Sequence, residues 1–503
     1  MAIKPPRVAI IGAGLSGVVS AKHLKYSGAE IVVYERSSKS GGNWVYDERR
    51  APEPIYPSLN PSQADLASMN SRATSNGEQE QSFLNDDHEN SLKFDEIGLA
   101  YAPPGPAYDG LTTNVSTNLQ ELKDYPWPEG NEQFVNVRVC GEYIQSYSRE
   151  FGIEQVTKYD TRVENIEKRG GKWNVESSTL IHEGPNKGVI TSDSDVGTSL
   201  FEFDRVVVAN GHYHASKVPD TPGLKEWKYT WPDKVQHSKS YRTPDGFKDQ
   251  NVLLIGAGVS STDIARELSQ VAKKIYQSSR GGPYDLPIEL LPPIASRVAE
   301  VAHFEIPTKD QTKPGGVTLK DGQVLTDIDR VIVCTGYHFS LPFLRSFHSD
   351  STAADKANDT VLVTDGTQMH NLHKDLFYIP DPTLAFVGVP FYTATFSFFE
   401  FQAIAVAAVF SGRAWLPTEA EMRTEYQERV QRKGSGRAFH DMKGEEAGYV
   451  KGLVDWVNSH AQLTDGPKVV GHSEEWLAQR EVLRETFLKF LAAKESRERE
   501  KNL

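Results

Sequence analysis

The sequence predicts an α/β protein with two Rossmann-like dinucleotide-binding units and a helical C-terminal tail. Three observations carry this. RVAIIGAGLSG (7–17) reads as a buried strand, a glycine turn and the start of a helix. NVLLIGAGVSS (251–261) repeats that pattern roughly 240 residues later. Past Pro417 the chain turns to helical periodicity, and Thr418 with Glu421 makes a capping-box spacing. At 503 residues the chain is too long for one ordinary core and fits two or three domains.

In the first unit Gly12, Gly14 and Gly17 stand in GxGxxG register, and Gly28 sits where the helix would end. Such glycines permit a tight turn, close approach of backbone to pyrophosphate, and close helix–strand packing. The helix N-terminus offers N–H groups to the phosphates. The next strand, EIVVYE, ends in Glu35, placed where a carboxylate accepts a hydrogen bond from a ribose hydroxyl. The stretch 61–91 is polar and nearly free of large apolar residues, so it reads as a flexible insert. GKWNVESS and LFEFDRVVVANGHY read as strands around a second polar insert near 182–199, a meander with a loose hairpin end. SKVPDTPG (216–223) has the punctuation of a crossing between domains, and a return crossing follows IDRVIVCTGYHFSLPF.

The second unit has Gly256 and Gly258, with Ser261 in place of the third glycine, its hydroxyl expected near the phosphate. Its second strand, KKIYQSSR, ends not in a carboxylate but in Ser278, Ser279 and Arg280. An arginine pairs with a 2'-phosphate that a carboxylate would repel, and hydroxyls can donate to it. The first site therefore prefers a nucleotide with a free ribose and the second prefers NADPH. Two dinucleotides on one chain imply electron transfer between them, which makes FAD the occupant of the first site.

Composition bounds the alternatives. A net charge of -13 lacks the basic footprint that nucleic acid or an anionic membrane surface requires. Two cysteines, Cys140 and Cys334, form no CxxC pair and no disulfide framework, which fits a reducing compartment. No apolar run reaches the length of a bilayer span, FQAIAVAAVF being too short, and no signal segment is legible, so a soluble, cytoplasmic protein is expected. No HExxH or paired Cys/His spacing suggests metal, and no GxSxG elbow suggests a hydrolase. Without a dithiol beside the flavin, reaction with oxygen is the remaining common fate of its electrons.

Here the motifs resemble the class B flavin-containing monooxygenases, in particular the fungal, yeast-type members. The matching text is GAGLSG (12–17), ER (35–36), GGNW (41–44), LTTN (111–114), NGHY (210–213), HSKSYR (237–242), GAGVSS, YQSSRGG, IDRVIVCTGY (328–337), FYIPDPTLAFVGVP (377–390) and EFQA with FSGR (400–413), in colinear order over nearly the whole chain. The resemblance implies an FAD domain (1–215 and 336–503) interrupted by an NADPH domain (216–335). It implies a C4a-hydroperoxyflavin, kept alive by bound NADP+, that delivers oxygen to a sulfur or an amine nitrogen of a small molecule. The alternatives are a Baeyer-Villiger or N-hydroxylating enzyme, an uncoupled NADPH oxidase, and an FAD/NADPH redox sensor.

Residue by residue, the resemblance gives Asn114 a stabilising role facing flavin and nicotinamide. It assigns FAD contacts to Leu15, Ser16, Arg36, Gly42, Asn43, Trp44, Thr113, Val163, Gly211 and Gln402, with Glu400 also near the flavin ring. It assigns NADPH contacts to Ser260, Ser261, Thr262, Ser279, Arg280, Thr335 and Gly336. His237 is the signature histidine and reads as a link between domains. The signature is altered, with Trp231 and Asp233 at its phenylalanine and glycine positions, and Tyr241 at its end favours heteroatom oxidation over ketone insertion. A homo-oligomer leaves no legible trace.

Overall fold

The computed structural model describes residues 5–64, 95–182, 187–192, 201–306, 308, 315–464 and 466–485. Most of the 61–91 insert lies outside these residues; its start, Pro61–Ala64, is a short helix.

The first glycine turn belongs to a seven-stranded sheet in the order Leu372–His373, Phe377–Tyr378, Leu384–Phe386, Arg205–Val208, Arg7–Ile11, Glu30–Tyr34 and Thr157–Lys158. The last five strands are parallel and the first two close one edge as antiparallel turns. Strands sandwiched on both faces must be apolar throughout, and Val8, Ala9, Ile10, Val206 and Val207 are accordingly inaccessible. One face is covered by helix Leu15–Tyr26 and helix Thr395–Phe410, whose Val18, Val19, Leu24, Phe396, Ala403 and Val406 share one core. The apolar FQAIAVAAVF stretch is thus a buried helix, and among the described residues no helix is long and apolar enough to cross a membrane.

The second glycine turn belongs to an all-parallel five-stranded sheet in the order Val235–His237, Arg330–Val333, Asn251–Ile255, Lys274–Ser278 and Ala295–Val298. A three-stranded antiparallel sheet, Val301–Phe304, Val317–Leu319 and Val324–Leu325, extends it. The chain crosses between the two large sheets twice, and the crossings lie side by side: Ala215–Ser216 pairs antiparallel with Tyr337–His338. His237 is fully buried beside this ribbon, and its backbone N–H donates to Glu53 at 3.0 Å, tying the second sheet to the first unit.

LFEFDRVVVANGHY is two strands rather than one. Glu202–Phe203 joins the meander of Thr161–Arg169, Lys172–Leu180 and Ile190–Ser192, while Arg205–Val208 enters the seven-stranded sheet. Asp204 marks the break, its carboxylate accepting the Arg7 N–H at 2.8 Å. The tail is helical, with Glu419–Lys433 opened by the Thr418–Glu421 capping box, followed by Glu446–Thr464.

Candidate functional site

Both glycine turns open on one continuous cavity of about 1830 Å³. Clefts for a single small ligand run to about 1,000 Å³, so this one has room for more than one.

In the first cradle Gly12 holds φ +102°, and a Cβ there would meet the Ala209 carbonyl oxygen at 2.7 Å. A Cβ on Gly17 would lie 1.9 Å from the Gly12 carbonyl oxygen, so only glycine lets the helix sit this close to the strand. Gly12, Gly14, Leu15, Ser16, Gly42, Asn43, Trp44, Val163 and Gly211 line the cavity. Glu35 stands at the strand end as expected. Its Oε2 accepts the Ala13 N–H at 2.8 Å, and its Oε1 takes the Ser37 N–H and hydroxyl, both at 2.8 Å. A carboxylate oxygen has about two acceptor sites, so Oε2 keeps one for a ribose hydroxyl. Arg36 also lines the cavity and is held by His214 Nδ1 at 2.6 Å.

In the second cradle Gly256 holds φ +108°, while a Cβ on Gly258 would meet nothing within 4 Å. That backbone is bare toward the cavity, as close approach of a pyrophosphate requires. Gly256, Gly258, Ser260, Arg280, Thr335 and Gly336 line the same space.

Several hydroxyls expected at the phosphates are engaged elsewhere. Ser261 Oγ donates to the Gly258 carbonyl at 3.0 Å and accepts from Gln277 at 2.8 Å, and Thr262 is likewise buried beside Gln277. Ser278 donates to the Ala299 carbonyl at 3.0 Å, and Ser279 donates to Asp285. Arg280 is left as the exposed cation of this strand end. Lys217, which sequence reading missed, joins it on the cavity wall from the first crossing, its N–H bonded to the Gly336 carbonyl at 2.9 Å. Burial, with Arg280 and Arg437 nearby, lowers its pKa, while Asp365 opposes the shift. Cations gathered in a cavity favour a bound anion.

Asn114 is exposed to the cavity from the loop between Leu111 and Val115, whereas Thr113 is buried behind it, accepting the Val135 N–H at 3.1 Å. Gln402 and Glu400 do not reach the wall. Gln402 is inaccessible, accepting the Gly388 N–H at 3.1 Å and donating to the Tyr449 hydroxyl at 2.9 Å. Glu400 binds His23 at 2.9 Å and the Lys123 N–H at 2.6 Å, with Lys22 at 3.6 Å. It fixes helix to helix, away from the cavity.

Aromatic side chains make up part of the wall. Tyr213 meets Tyr337 edge-on with centroids 5.6 Å apart, and Arg437 lies 4.6 Å over Tyr284. Burial pushes His212 down to about 4, so it is neutral near pH 7. Both cysteines are free and buried; burial raises Cys334 and pushes Cys140 up to about 12, so neither is a thiolate nucleophile near neutrality. Among the described residues no cluster of side chains could hold a metal.

Two nucleotide cradles, one ending in a carboxylate and one in a cation, facing a shared cavity, define a flavoprotein oxidoreductase fed by a nicotinamide nucleotide. The sequence profile of the flavin-binding monooxygenase-like family matches residues 102–288 and 305–465, and that of an NAD(P)-binding Rossmann-like domain matches 10–62. The chain belongs to the flavin-binding monooxygenase-like family and uses FAD and NADPH. It is 41% identical to flavin-containing monooxygenase ustF2 of Aspergillus flavus, over 96% of this chain and 97% of the relative. Flavin-containing monooxygenase ustF1 of the same organism is 37% identical over 93% of this chain and 87% of its own. Among solved structures, S-allyl-L-cysteine S-oxygenase from Allium sativum superposes with a TM-score of 0.65 at 25% identity, covering 97% of this chain and 100% of that one.

Proposed function

We propose that this monooxygenase transfers one oxygen atom from O2 to a soft nucleophile, a sulfur or an amine nitrogen, of a small molecule. The observation that carries the reading is the shared cavity with Asn114 on its wall and no reactive thiol to divert electrons. The garlic relative, whose substrate is a thioether, supports sulfur. When bound, FAD supplies hydride acceptance from NADPH and activation of oxygen.

The protein's part is binding, orientation and exclusion of water. Glu35 holds the FAD ribose and the N-terminus of helix Leu15–Tyr26 takes its phosphates. The second unit, 216–335, holds NADPH, with Gly258 backing the pyrophosphate and Arg280 and Lys217 meeting phosphate charge. Asn114 presents an amide that both donates and accepts beside the reacting atoms. Tyr213, Tyr337 and the neutral His212 add uncharged surface to the cavity wall.

Purified enzyme with NADPH and 18O2 should convert methyl phenyl sulfide or N,N-dimethylaniline into the singly labelled oxide. Unlabelled product, or ester formation from ketones with neither heteroatom oxidised, would overturn the reading.

A further inference from the structure

The family profile stops at residue 465, yet the described chain continues to 485 and folds back onto the Asn114 end of the cavity. A helix over 474–485 is fastened there by three side chains. Trp476 stacks on His472 with centroids 3.4 Å apart and donates its indole N–H to the Leu119 carbonyl at 3.2 Å. Gln479 accepts from Asn118 at 2.5 Å. Arg480 grips the buried Glu446 carboxylate at 2.8 and 2.7 Å, and the other oxygen of Glu446 accepts the Ala394 N–H at 2.5 Å, just ahead of helix Thr395–Phe410. The tail is therefore tied to the 114–119 stretch and, through Glu446, to Ala394.

This docking places side chains in the cavity. Leu483 packs on the cluster of Val115, Leu119, Ala394 and Trp476, and it lines the cavity together with Asn114 and Val115. Val115 adjoins Asn114 in sequence, so Leu483 is the apolar surface that the tail offers to whatever reaches Asn114. Arg480 is already neutralised by Glu446, and Arg484 is paired with Glu481 at 3.0 Å, which leaves Leu483 as the uncharged contact.

We propose that residues 472–485 form the substrate-side wall of this enzyme and that Leu483 sets the size of the apolar group the nucleophile can carry to Asn114. The proposal rests on the oxygen-transfer reading above. Selectivity then comes from a segment beyond the part of the chain that the family profile describes.

The test compares full-length wild type, Leu483→Trp and Leu483→Ala with dimethyl sulfide and methyl phenyl sulfide. Leu483→Trp should raise KM for methyl phenyl sulfide by about tenfold or more, leaving dimethyl sulfide within about twofold and NADPH-driven flavin reduction unchanged. Leu483→Ala should admit water and raise NADPH-dependent peroxide release without substrate. If both sulfides keep their wild-type parameters in both variants, the wall does not select and the proposal falls. If wild type oxidises neither sulfide, the oxygen-transfer reading has failed for sulfur, and peroxide release still decides: a rise in Leu483→Ala upholds the wall, and no change overturns it.

Discussion

Gly258→Ala separates what the second cradle does for the fold from what it does for the ligand. A Cβ there would touch no protein atom within 4 Å, and the residue caps helix Val259–Leu268 with an ordinary φ of -86°. Replacing glycine at an N-cap by alanine costs about 0.5–1 kcal/mol, and restricting the unfolded chain returns about 0.4–1 kcal/mol. The two nearly cancel, so the melting temperature should barely move. A methyl group forced between backbone and pyrophosphate costs about 1–3 kcal/mol, which is roughly 5- to 150-fold in Kd. The assay is calorimetric titration with NADP+, alongside flavin absorbance, which should show full FAD content. Gly17→Ala is the contrast: its Cβ would fall 1.9 Å from the Gly12 carbonyl oxygen, so it should lose FAD and stability together. Unchanged NADP+ affinity in a folded, flavin-loaded Gly258→Ala protein would refute the claim that this backbone faces the dinucleotide.

Arg280→Ala should weaken NADPH much more than NADH, and Lys217→Met should weaken binding of 2',5'-ADP; equal losses for NADPH and NADH in the first would remove the 2'-phosphate role. Asn114→Ser should leave flavin reduction intact and raise peroxide release, as measured by a peroxidase-coupled assay, and unchanged coupling would contradict the role given to Asn114. Burial pushes His237 down to about 3 and His370 to about 4, both from an ordinary 6.5. Their stability contribution is complete above pH 6.5 and is lost as pH falls, because the unfolded chain takes protons that the folded one refuses, at about 1.4 kcal/mol per pH unit for each group. Denaturant midpoints should therefore drop between about pH 7 and pH 5; a flat profile would contradict their neutral burial.

The parts legible in the sequence are those whose chemistry is local. Gly12, Gly14, Gly17 and Glu35 sit in one strand–turn–helix–strand unit, so spacing alone sets their relative positions. The capping box at Thr418 is local in the same sense. Tertiary neighbours decided the rest. Glu400 and Gln402 lie on an apolar helix with no polar face, and nothing in that pattern reveals that one meets His23 and Lys22 and the other Gly388 and Tyr449. Ser278 and Ser279 occupy the expected strand end, but Ala299 and Asp285, brought by later turns, accept their hydrogen bonds. Lys217 shares the cavity wall with Arg280 because the two crossings pair as a ribbon, and Leu483 packs on Val115 through the docking of Trp476 and Arg480. Nonlocal pairing of that kind leaves no periodicity to read.

The most direct test of oxygen transfer is rapid mixing of the NADPH-reduced enzyme with oxygen, without substrate, while the flavin spectrum is recorded. A lasting near-ultraviolet band without the long-wavelength band of oxidised flavin is expected, discharged when a thioether or tertiary amine is added. Immediate return to oxidised flavin with stoichiometric peroxide, with and without those nucleophiles present, would contradict it.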